Sequence, residues 1–291
     1  MTALLAAFFS AVFAAASTLL IKCFASRTDS TVVTAVQTFV MLPFSVLVCI
    51  FAGSFRTLPS TDLRSILFMT VSGVATGLTW LFYFRALKEG DADKVMPIEK
   101  ANIFLAILIA VFFFHETRFF AVKMTGAAIV FLGLVFLLIG SLKASKGSAG
   151  SCRWLKYALL SSFFAGVNTI FSKLALAGMD SNFGTMLNTA VALIIVLLLI
   201  TGEKKLTLFR TSPKKEILVV AASGVSTALN WLLYYYAVKY APMSAAVPLN
   251  KLSVPMVILF SRYMLGSRIR KDQGVGLAGI VAGMMMVAVV A

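Results

Sequence analysis

The sequence predicts an all-α integral membrane protein with ten transmembrane helices, built as a 5+5 repeat of inverted topology. The first observation behind this prediction is composition. Of the 291 residues, 60% are hydrophobic and only 13% are charged, and the mean hydropathy is +0.96. A soluble globular domain carries about 25% charged residues. The other two observations are a series of apolar runs of membrane-spanning length and an internal duplication.

Ten apolar runs follow one another, each near the roughly 20 residues that a helix needs to cross the hydrocarbon core. Those of the first half are predicted at 3–22, 31–52, 65–87, 95–114 and 120–141. Those of the second half are predicted at 154–176, 183–201, 216–238, 244–265 and 273–291. We therefore divide the chain into a first repeat at 1–141, a polar linker at 142–153 and a second repeat at 154–291.

One stretch of the chain occurs twice, at 72–100 and 223–251, with an offset of 151 residues. The positions that are identical in both copies carry these first-copy numbers: Ser72, Gly73, Val74, Thr76, Leu78, Trp80, Leu81, Tyr83, Ala86, Lys88, Pro97 and Lys100. Because each repeat has an odd number of helices, the two halves must enter the membrane in opposite orientations. A duplicated hydrophobic element of this kind is typical of transporters made of two structural repeats.

The basic residues predict the orientation of the chain in the membrane. Most of the 26 lysines and arginines fall in the odd-numbered loops, on the side opposite the termini. Cytoplasmic loops carry an excess of Lys and Arg, so these loops are expected in the cytoplasm and both termini outside. We expect a multi-pass protein of a cell membrane, such as a bacterial inner membrane. This topology accounts for the net charge of +15, so no nucleic-acid partner is expected.

The sequence contains no motif for catalysis or for a cofactor. It has no HExxH, no GxSxG and no Cys/His metal spacing, so we expect neither an enzyme nor a bound cofactor or metal. The GxGxxG pattern at 274–279 opens a lipid-spanning helix, which favours close helix packing over phosphate binding. We expect helices five and ten to form a packing seam, either between the two halves or between the protomers of a homodimer. Its glycines are Gly126, Gly133, Gly140, Gly279 and Gly283.

Polar side chains within the spans are the candidates for a substrate cavity. Small hydroxyl residues fit interhelical hydrogen bonding, which contributes only about 0.6 kcal/mol per contact. Amides cost more to bury and are expected to face an aqueous cavity. The amides in question are Gln37, Asn168, Asn188 and Asn230.

Two aromatic pairs recur at equivalent positions of the halves: Trp80 with Trp231, and Tyr83 with Tyr234. Aromatic rings concentrate at the membrane interface, so an aromatic belt is one interpretation. A gate or a stacking surface in the cavity is the other. The sequence leaves both open.

Lys100 and Lys251 occupy equivalent positions inside the fourth and ninth predicted spans. The stretch 101–114 is too short to cross about 30 Å, so the fourth span must begin before Lys100. Each lysine either carries its ammonium group to the interface or attracts an anionic group of a substrate. In the second case the two cations would face opposite mouths of the cavity.

Glu99 is a carboxylate that falls inside a predicted span, and its counterpart in the second repeat is the neutral Asn250. An ionisable residue in a span is a functional candidate, and proton coupling is the role that suits it. A local ion pair with Lys100 or Lys94 is the alternative. We include Asn250 among the candidates for the cavity.

Several segments resemble the EamA-type transporters of the drug/metabolite transporter superfamily. They are FFAGVNTIFSKLAL at 163–176, WLFYFRALKEG, WLLYYYAVKYA and the helix starts PIEK and PLNK. The run FFFHE, which ends at Glu116, resembles the end of the family's fourth helix. The resemblance covers both halves, and it implies ten helices around a central substrate cavity and the export of small metabolites, amino acids among them. The chain departs from the family's pattern where Gln37 and Asn188 stand in place of a frequent Arg, and where Ser267 is the counterpart of Glu116.

We therefore expect a secondary active transporter that exports small polar metabolites, such as amino acids, across the cytoplasmic membrane by alternating access. No ATP-binding motif is present, so a gradient must supply the energy. Two alternatives stay open. One is a flippase for lipid-linked or polyprenyl-linked sugars, and the other is a non-transporting membrane assembly partner.

Overall fold

The computed structural model describes residues 1–24, 28–89, 95, 98, 101–144, 153–202, 213–265 and 271–290, and its regular structure over these residues is helical. The helices of the first half are α1 (Thr2–Phe24), α2 (Ser30–Phe51), α3 (Leu63–Glu89), α4 (Asn102–Phe112) and α5 (Phe120–Ala144). A 3-10 turn at Ser54–Ser60 joins α2 to α3. The helices of the second half are α6 (Arg153–Leu176), α7 (Ser181–Gly202), α8 (Lys214–Tyr240), α9 (Met243–Lys251), α10 (Ser253–Leu265) and α11 (Lys271–Val289).

Seven helices within the described residues are long and apolar enough to cross a membrane: α1, α2, α3, α5, α6, α7 and α8. Two shorter apolar helices, Asn102–Phe112 and Gly274–Val289, fall in the fourth and tenth predicted spans. The all-α, multi-pass prediction is confirmed. The predicted count of ten spans is not confirmed by helix length and composition.

The ninth predicted span, 244–265, is divided into two helices that meet at Leu252. The N–H of Leu252 donates to the carbonyl of Leu249 at 3.2 Å, three residues back, so the helix tightens there. Ala101, its equivalent in the first repeat, donates in the same way to Ile98 at 3.0 Å. The duplication in sequence is therefore also a duplication in backbone geometry.

The first turns of α2 and α7 show the same duplication. The Asp29 carboxylate accepts a hydrogen bond from the N–H of Thr31 at 2.8 Å. Asp180, which is 151 residues later, accepts from Asn182 at 3.0 Å and from Phe183 at 3.2 Å. A short acidic side chain satisfies amide groups that the first turn of a helix leaves without partners, so these two residues determine where α2 and α7 begin.

The helices pack in a pattern that exchanges the two halves. α1 packs on α8, and their counterparts α6 and α3 pack on each other. The contact of α2 with α8 is likewise matched by the equivalent contact of α7 with α3. Two further contacts join a helix to its own counterpart: α2 packs on α7, and α5 packs on α11. Exchange of this kind is what a pseudo-two-fold axis between the repeats produces. Each half therefore completes the core of the other.

The predicted glycine seam between helices five and ten is confirmed, and it joins the two halves of one chain. A Cβ atom on Gly276 would lie 2.7 Å from the carbonyl oxygen of Gly133, and one on Gly283 would lie 2.6 Å from that of Gly126. No side chain fits in these gaps. The glycines thus let α5 and α11 approach more closely than other residues would allow.

Large apolar side chains cover the outside of the bundle, and small residues fill the inside. Exposed examples are Phe39, Phe51, Leu63, Leu218 and Val289. Buried alanines, serines and threonines are numerous among the described residues. In lipid, close packing of small residues and interhelical hydrogen bonds hold helices together, while apolar side chains face the acyl chains. This arrangement is that of a multi-pass membrane protein.

Candidate functional site

A central cavity of about 240 Å³ lies where the two repeats meet. Helices one, three and four of the first half and their counterparts in the second half surround it: α1, α3, α4, α6, α8, α9 and α10. The lining residues are Ala14, Thr18, Thr76, Thr79, Trp80, Asn102, Ala165, Asn168, Thr169, Asn230, Trp231, Tyr234, Val247, Asn250, Lys251 and Ser253.

Many of these lining residues are related by the offset of 151. The paired positions are Ala14 with Ala165, Thr18 with Thr169, Thr79 with Asn230, Trp80 with Trp231, and Asn102 with Ser253. The cavity therefore lies on the pseudo-two-fold axis that relates the repeats. A site on such an axis stays in place when one repeat moves against the other.

A second compartment of about 580 Å³ adjoins the first and shares Ala14, Thr18, Trp80, Asn230 and Trp231 with it. We call it the outer compartment. It extends along α1 to Ile21 and Lys22 and is also lined by polar residues of α2. Because Lys22 is exposed, the outer compartment reaches the surface at the end of the bundle where α1 ends. We call this the wide end.

The two tryptophans stand between the compartments. Trp80 and Trp231 border both, well inside α3 and α8, so they do not occupy the helix ends where an aromatic belt would lie. Tyr234 lines the central cavity, and its ring centroid lies 5.9 Å from that of Trp231 in an edge-on contact. The structure brings these three aromatic residues together, as the cavity interpretation requires.

Tyr83, the counterpart of Tyr234, has a different environment. It packs against the buried residues Ala86, Val95 and Ile98 near the end of α3. Among the described residues, it is outside the lining of both compartments. The structure places it in a packing cluster rather than in the predicted cavity.

The amides of Gln37 and Asn188 make equivalent hydrogen bonds between the halves. Gln37 donates to Ser223 at 3.0 Å, and Asn188 donates to Ser72, the counterpart of Ser223, also at 3.0 Å. Gln37 also borders the outer compartment, as predicted for a cavity residue. Asn188 is buried between α7 and α3, so the structure places it in an interhelical contact, outside the lining of the two compartments.

Hydrogen bonds determine which way two amides of the central cavity are turned. Ser72 accepts from Asn188, so its own hydroxyl hydrogen goes to the Oδ1 atom of Asn168, at 2.6 Å. The Oδ1 atom of Asn230 accepts from Asn250 at 2.8 Å. Both carbonyl oxygens are thus used within the protein. The NH₂ groups of Asn168 and Asn230 are left as donors on residues that line the cavity.

Lys251 lines the central cavity beside these amides. Its predicted role, to attract an anionic group, remains a prediction, although its position is the one that role requires. Lys100 and Glu99 lie outside the described residues. Asn250, the counterpart of Glu99, is buried in the cavity wall and also donates to Ser10 at 2.8 Å.

The opposite end of the bundle is held by a clamp on the first turn of α9. The carboxylate of Glu116, just after α4, accepts hydrogen bonds from the N–H groups of Met243 at 2.6 Å and Ser244 at 2.9 Å. Lys123 lies 3.9 Å from this carboxylate and donates to the Glu116 carbonyl at 2.9 Å. An anion at a helix start satisfies free amides and interacts favourably with the helix dipole. Glu116 therefore ties the first repeat to the second.

Two lysines close the same end by binding carbonyl groups. Lys173 of α6 donates to the carbonyl oxygens of Val238 and Ala241, at the end of α8. Lys239 donates to the carbonyl of Met179 at 2.7 Å. A cation at a helix C-terminus satisfies carbonyls that have no partner within the helix. We call this region, from Glu116 to these lysines, the closed end.

Sequence reasoning missed the places of Asn102 and Glu116. Asn102 is buried against the central cavity, and Glu116 holds the closed end together. A signal for Asn102 was available, because it is an amide within the fourth predicted span. The role of Glu116 depends on backbone groups more than 120 residues away along the chain. The local sequence around Glu116 cannot identify such distant partners.

Comparison with known proteins agrees with the fold and with the duplication. A protein seen in a crystal structure, 17% identical in sequence, has the same fold, with a TM-score of 0.73 over 100% of this chain and 99% of its own. The chain is similar to an "uncharacterized transporter in cobO 3' region" from Sinorhizobium sp., with 32% identity over 136 residues, which are 47% of this chain and 96% of that protein. The sequence pattern of the EamA-like transporter family matches twice, at 1–139 and 153–289. The resemblance seen in the sequence is confirmed, and the chain belongs to the EamA-like transporter family.

Proposed function

We propose that the protein is a secondary active transporter that exports small polar metabolites with a carboxylate group, amino acids being the leading class. The observation that supports this proposal best is the polar central cavity on the pseudo-two-fold axis, lined by equivalent residues of both repeats. At about 240 Å³ it lies just below the usual size range of small-molecule sites, which favours a small metabolite.

The chemistry of the lining favours an anionic group. Lys251 supplies a cation, and Asn168 and Asn230 supply NH₂ donors. The side-chain carbonyl oxygens of these two amides already accept hydrogen bonds within the protein. A carboxylate accepts several hydrogen bonds at once and gains from a nearby cation. The described lining contains no carboxylate that would repel it. A polar interior site of this size also favours a metabolite over the alternative of a lipid-linked sugar.

The two ends of the cavity support alternating access as the mechanism. At the wide end the outer compartment reaches the surface, while the closed end is held by Glu116 and the lysines around it. Loss of these contacts, together with closure of the wide end over Trp80 and Trp231, would expose the central cavity to the other side. With the termini outside, as the basic residues predict, the wide end faces the cytoplasm and is loaded there during export.

Transport by the purified protein in liposomes tests this proposal. A panel of labelled L-amino acids is offered in a counterflow assay, and at least one is expected to exchange faster than in empty liposomes. The variant Asn230→Leu removes a cavity donor and should lower exchange. Thr201→Val is the matched control, because Thr201 is exposed and bonds only to carbonyls of its own helix. Exchange of no panel member would contradict the proposed substrate class.

A further inference from the structure

A buried amide beside the central cavity has a carbonyl oxygen without a partner. Asn102 is 7% exposed and lines the cavity, and its Oδ1 atom accepts no hydrogen bond in the described structure. Such an atom has lost its water without gaining a donor, which is unfavourable. Unsatisfied buried groups are rare in native proteins, and one explanation for such a group beside a cavity is a molecule that supplies the missing contact when it binds.

Asn102 differs in this respect from the neighbouring amides. The carbonyl oxygens of Asn168 and Asn230 accept hydrogen bonds from Ser72 and Asn250, which leaves their NH₂ groups as donors at the cavity. Asn102 adds an uncommitted acceptor to a lining that is otherwise rich in donors. The torsion about the Cβ–Cγ bond of an Asn is soft, so a small turn of the amide presents this oxygen to a ligand.

The pseudo-symmetry of the cavity is broken at this position. The counterpart of Asn102 is Ser253, which lines the same cavity. Asn102 is one of the buried residues of α4, as are the apolar residues Ile103 and Ala106. The two sides of the cavity therefore offer a ligand different chemistry at this position, although the repeats that surround it are equivalent.

We propose that Asn102 determines specificity, by accepting a hydrogen bond from an ammonium or hydroxyl group that the substrate carries next to its carboxylate. The carboxylate lies against Lys251 and the NH₂ groups of Asn168 and Asn230, and the donor group lies against Oδ1 of Asn102. This inference rests on the proposed function and goes further. It assigns to one side chain the discrimination between substrates that carry the ammonium or hydroxyl group and substrates that lack it.

Binding to the purified protein tests the inference without any need for transport. Thermal stabilisation is measured with L-leucine, L-phenylalanine and L-threonine, and with the same carbon skeletons carrying hydrogen or hydroxyl in place of the α-amino group. A ligand that binds the folded state raises the melting temperature according to its affinity. The donor-bearing forms are expected to bind about 10- to 100-fold more tightly than the forms with hydrogen, because the latter leave Oδ1 unpaired.

Two variants locate this discrimination. In Asn102→Leu the preference for donor-bearing forms over forms with hydrogen should fall to less than about threefold. The forms with hydrogen should bind to this variant as tightly as to the wild type, or more tightly. In Asn102→Asp, which keeps an acceptor and adds a charge, the preference for the amino form should persist or increase. Ser253→Ala is the matched control at the equivalent position, and it should retain the preference whatever its affinity.

The outcomes separate this inference from the proposed function. If Asn102→Leu still binds the ligands with the wild-type preference, or if the wild type shows no preference, Asn102 does not determine specificity and the proposed function stands. If Asn102→Leu fails to fold, loss of preference in Asn102→Asp overturns the inference on its own. If no carboxylate of either kind binds, the substrate class and the inference both fall.

Discussion

The two ends of the cavity are built from equivalent helices, yet the contacts of the described residues differ between them. At the closed end, Lys173 binds the last carbonyls of α8 and Glu116 binds the first amides of α9. At the wide end, Lys22, the counterpart of Lys173, is exposed and lines the outer compartment. The counterpart of Glu116 is Ser267, which lacks a charge and lies outside the described residues.

This difference shows how a duplicated chain becomes asymmetric. The backbone, the helix starts and the glycine contacts are repeated in both halves, because they depend on residues that the duplication preserved. The contacts at the closed end depend on Glu116, whose counterpart in the other repeat is uncharged. We expect loss of Glu116 to make the closed end easier to open, since each charged hydrogen bond contributes about 1.5–3 kcal/mol.

The largest expected effect comes from removing the clamp. Glu116→Ala leaves the N–H groups of Met243 and Ser244 without their acceptors, and we expect about a 10- to 100-fold shift toward opening at the closed end. The measurement uses Val247→Cys in a protein whose three native cysteines are replaced, because Val247 is buried in the cavity wall. The rate of its reaction with a membrane-impermeant thiol reagent should rise by this factor.

Two controls accompany this experiment. Glu116→Gln keeps an acceptor and should give an intermediate rate. Thr117→Ala changes the exposed neighbour and should leave the rate as in the parent protein. A rate in Glu116→Ala that equals the parent rate would show that Glu116 does not hold the closed end.

The seam between α5 and α11 joins the two halves of the chain, so a substitution that disrupts it should lower stability. Gly276→Ala places a Cβ 2.7 Å from the Gly133 carbonyl, and we expect it to lower the free energy of unfolding by about 1–3 kcal/mol. Gly279→Ala is the matched control, since its Cβ would lie 3.5 Å from the nearest atom, an ordinary contact. Melting in detergent measures both. Equal melting temperatures for the two variants would contradict the close approach at Gly276.

The paired lysines provide a direct comparison of the ends. Lys173→Met removes the hydrogen bonds to Val238 and Ala241, and we expect it to lower the free energy of unfolding by about 1–2 kcal/mol. Lys22 is exposed, so water screens the contacts that it makes, and we expect Lys22→Met to change the free energy of unfolding by less than about 0.5 kcal/mol. Denaturant titration of both variants in the same detergent measures the difference. A larger loss in Lys22→Met would reverse the assignment of the two ends.

The smallest expected effect is at Ser244, whose hydroxyl is buried without a partner among the described residues. Ser244→Ala keeps the N–H group that Glu116 binds, so the free energy of unfolding should change by no more than about 0.5 kcal/mol or rise slightly. Ser10→Ala is the contrasting variant, because the Ser10 hydroxyl donates to Ala7 and accepts from Asn250, and it should cost about 1 kcal/mol. A large loss in Ser244→Ala would mean that its side chain is part of the clamp.

Features that depend on neighbouring residues were predictable from the sequence. The glycine spacing in helices five and ten predicted their seam, and the recurrence of Trp80 and Trp231 made a shared cavity one of two open interpretations. Features that depend on distant partners were not. Gln37 and Asn188 are equivalent amides in sequence, but only Gln37 borders one of the two compartments, whereas Asn188 is buried in a contact with Ser72.

The sequence by itself determined the all-α membrane fold, its duplication and the glycine seam, because hydrophobic length, helix-start residues and small-residue spacing act within a single segment. Tertiary structure decided which amides are used between helices and which remain for the cavity, and which end is closed. Those outcomes depend on partners such as Ser72 for Asn168 and the Met243 amide for Glu116, which lie 96 and 127 residues away along the chain. Only the packing of the two repeats brings such groups within hydrogen-bond distance.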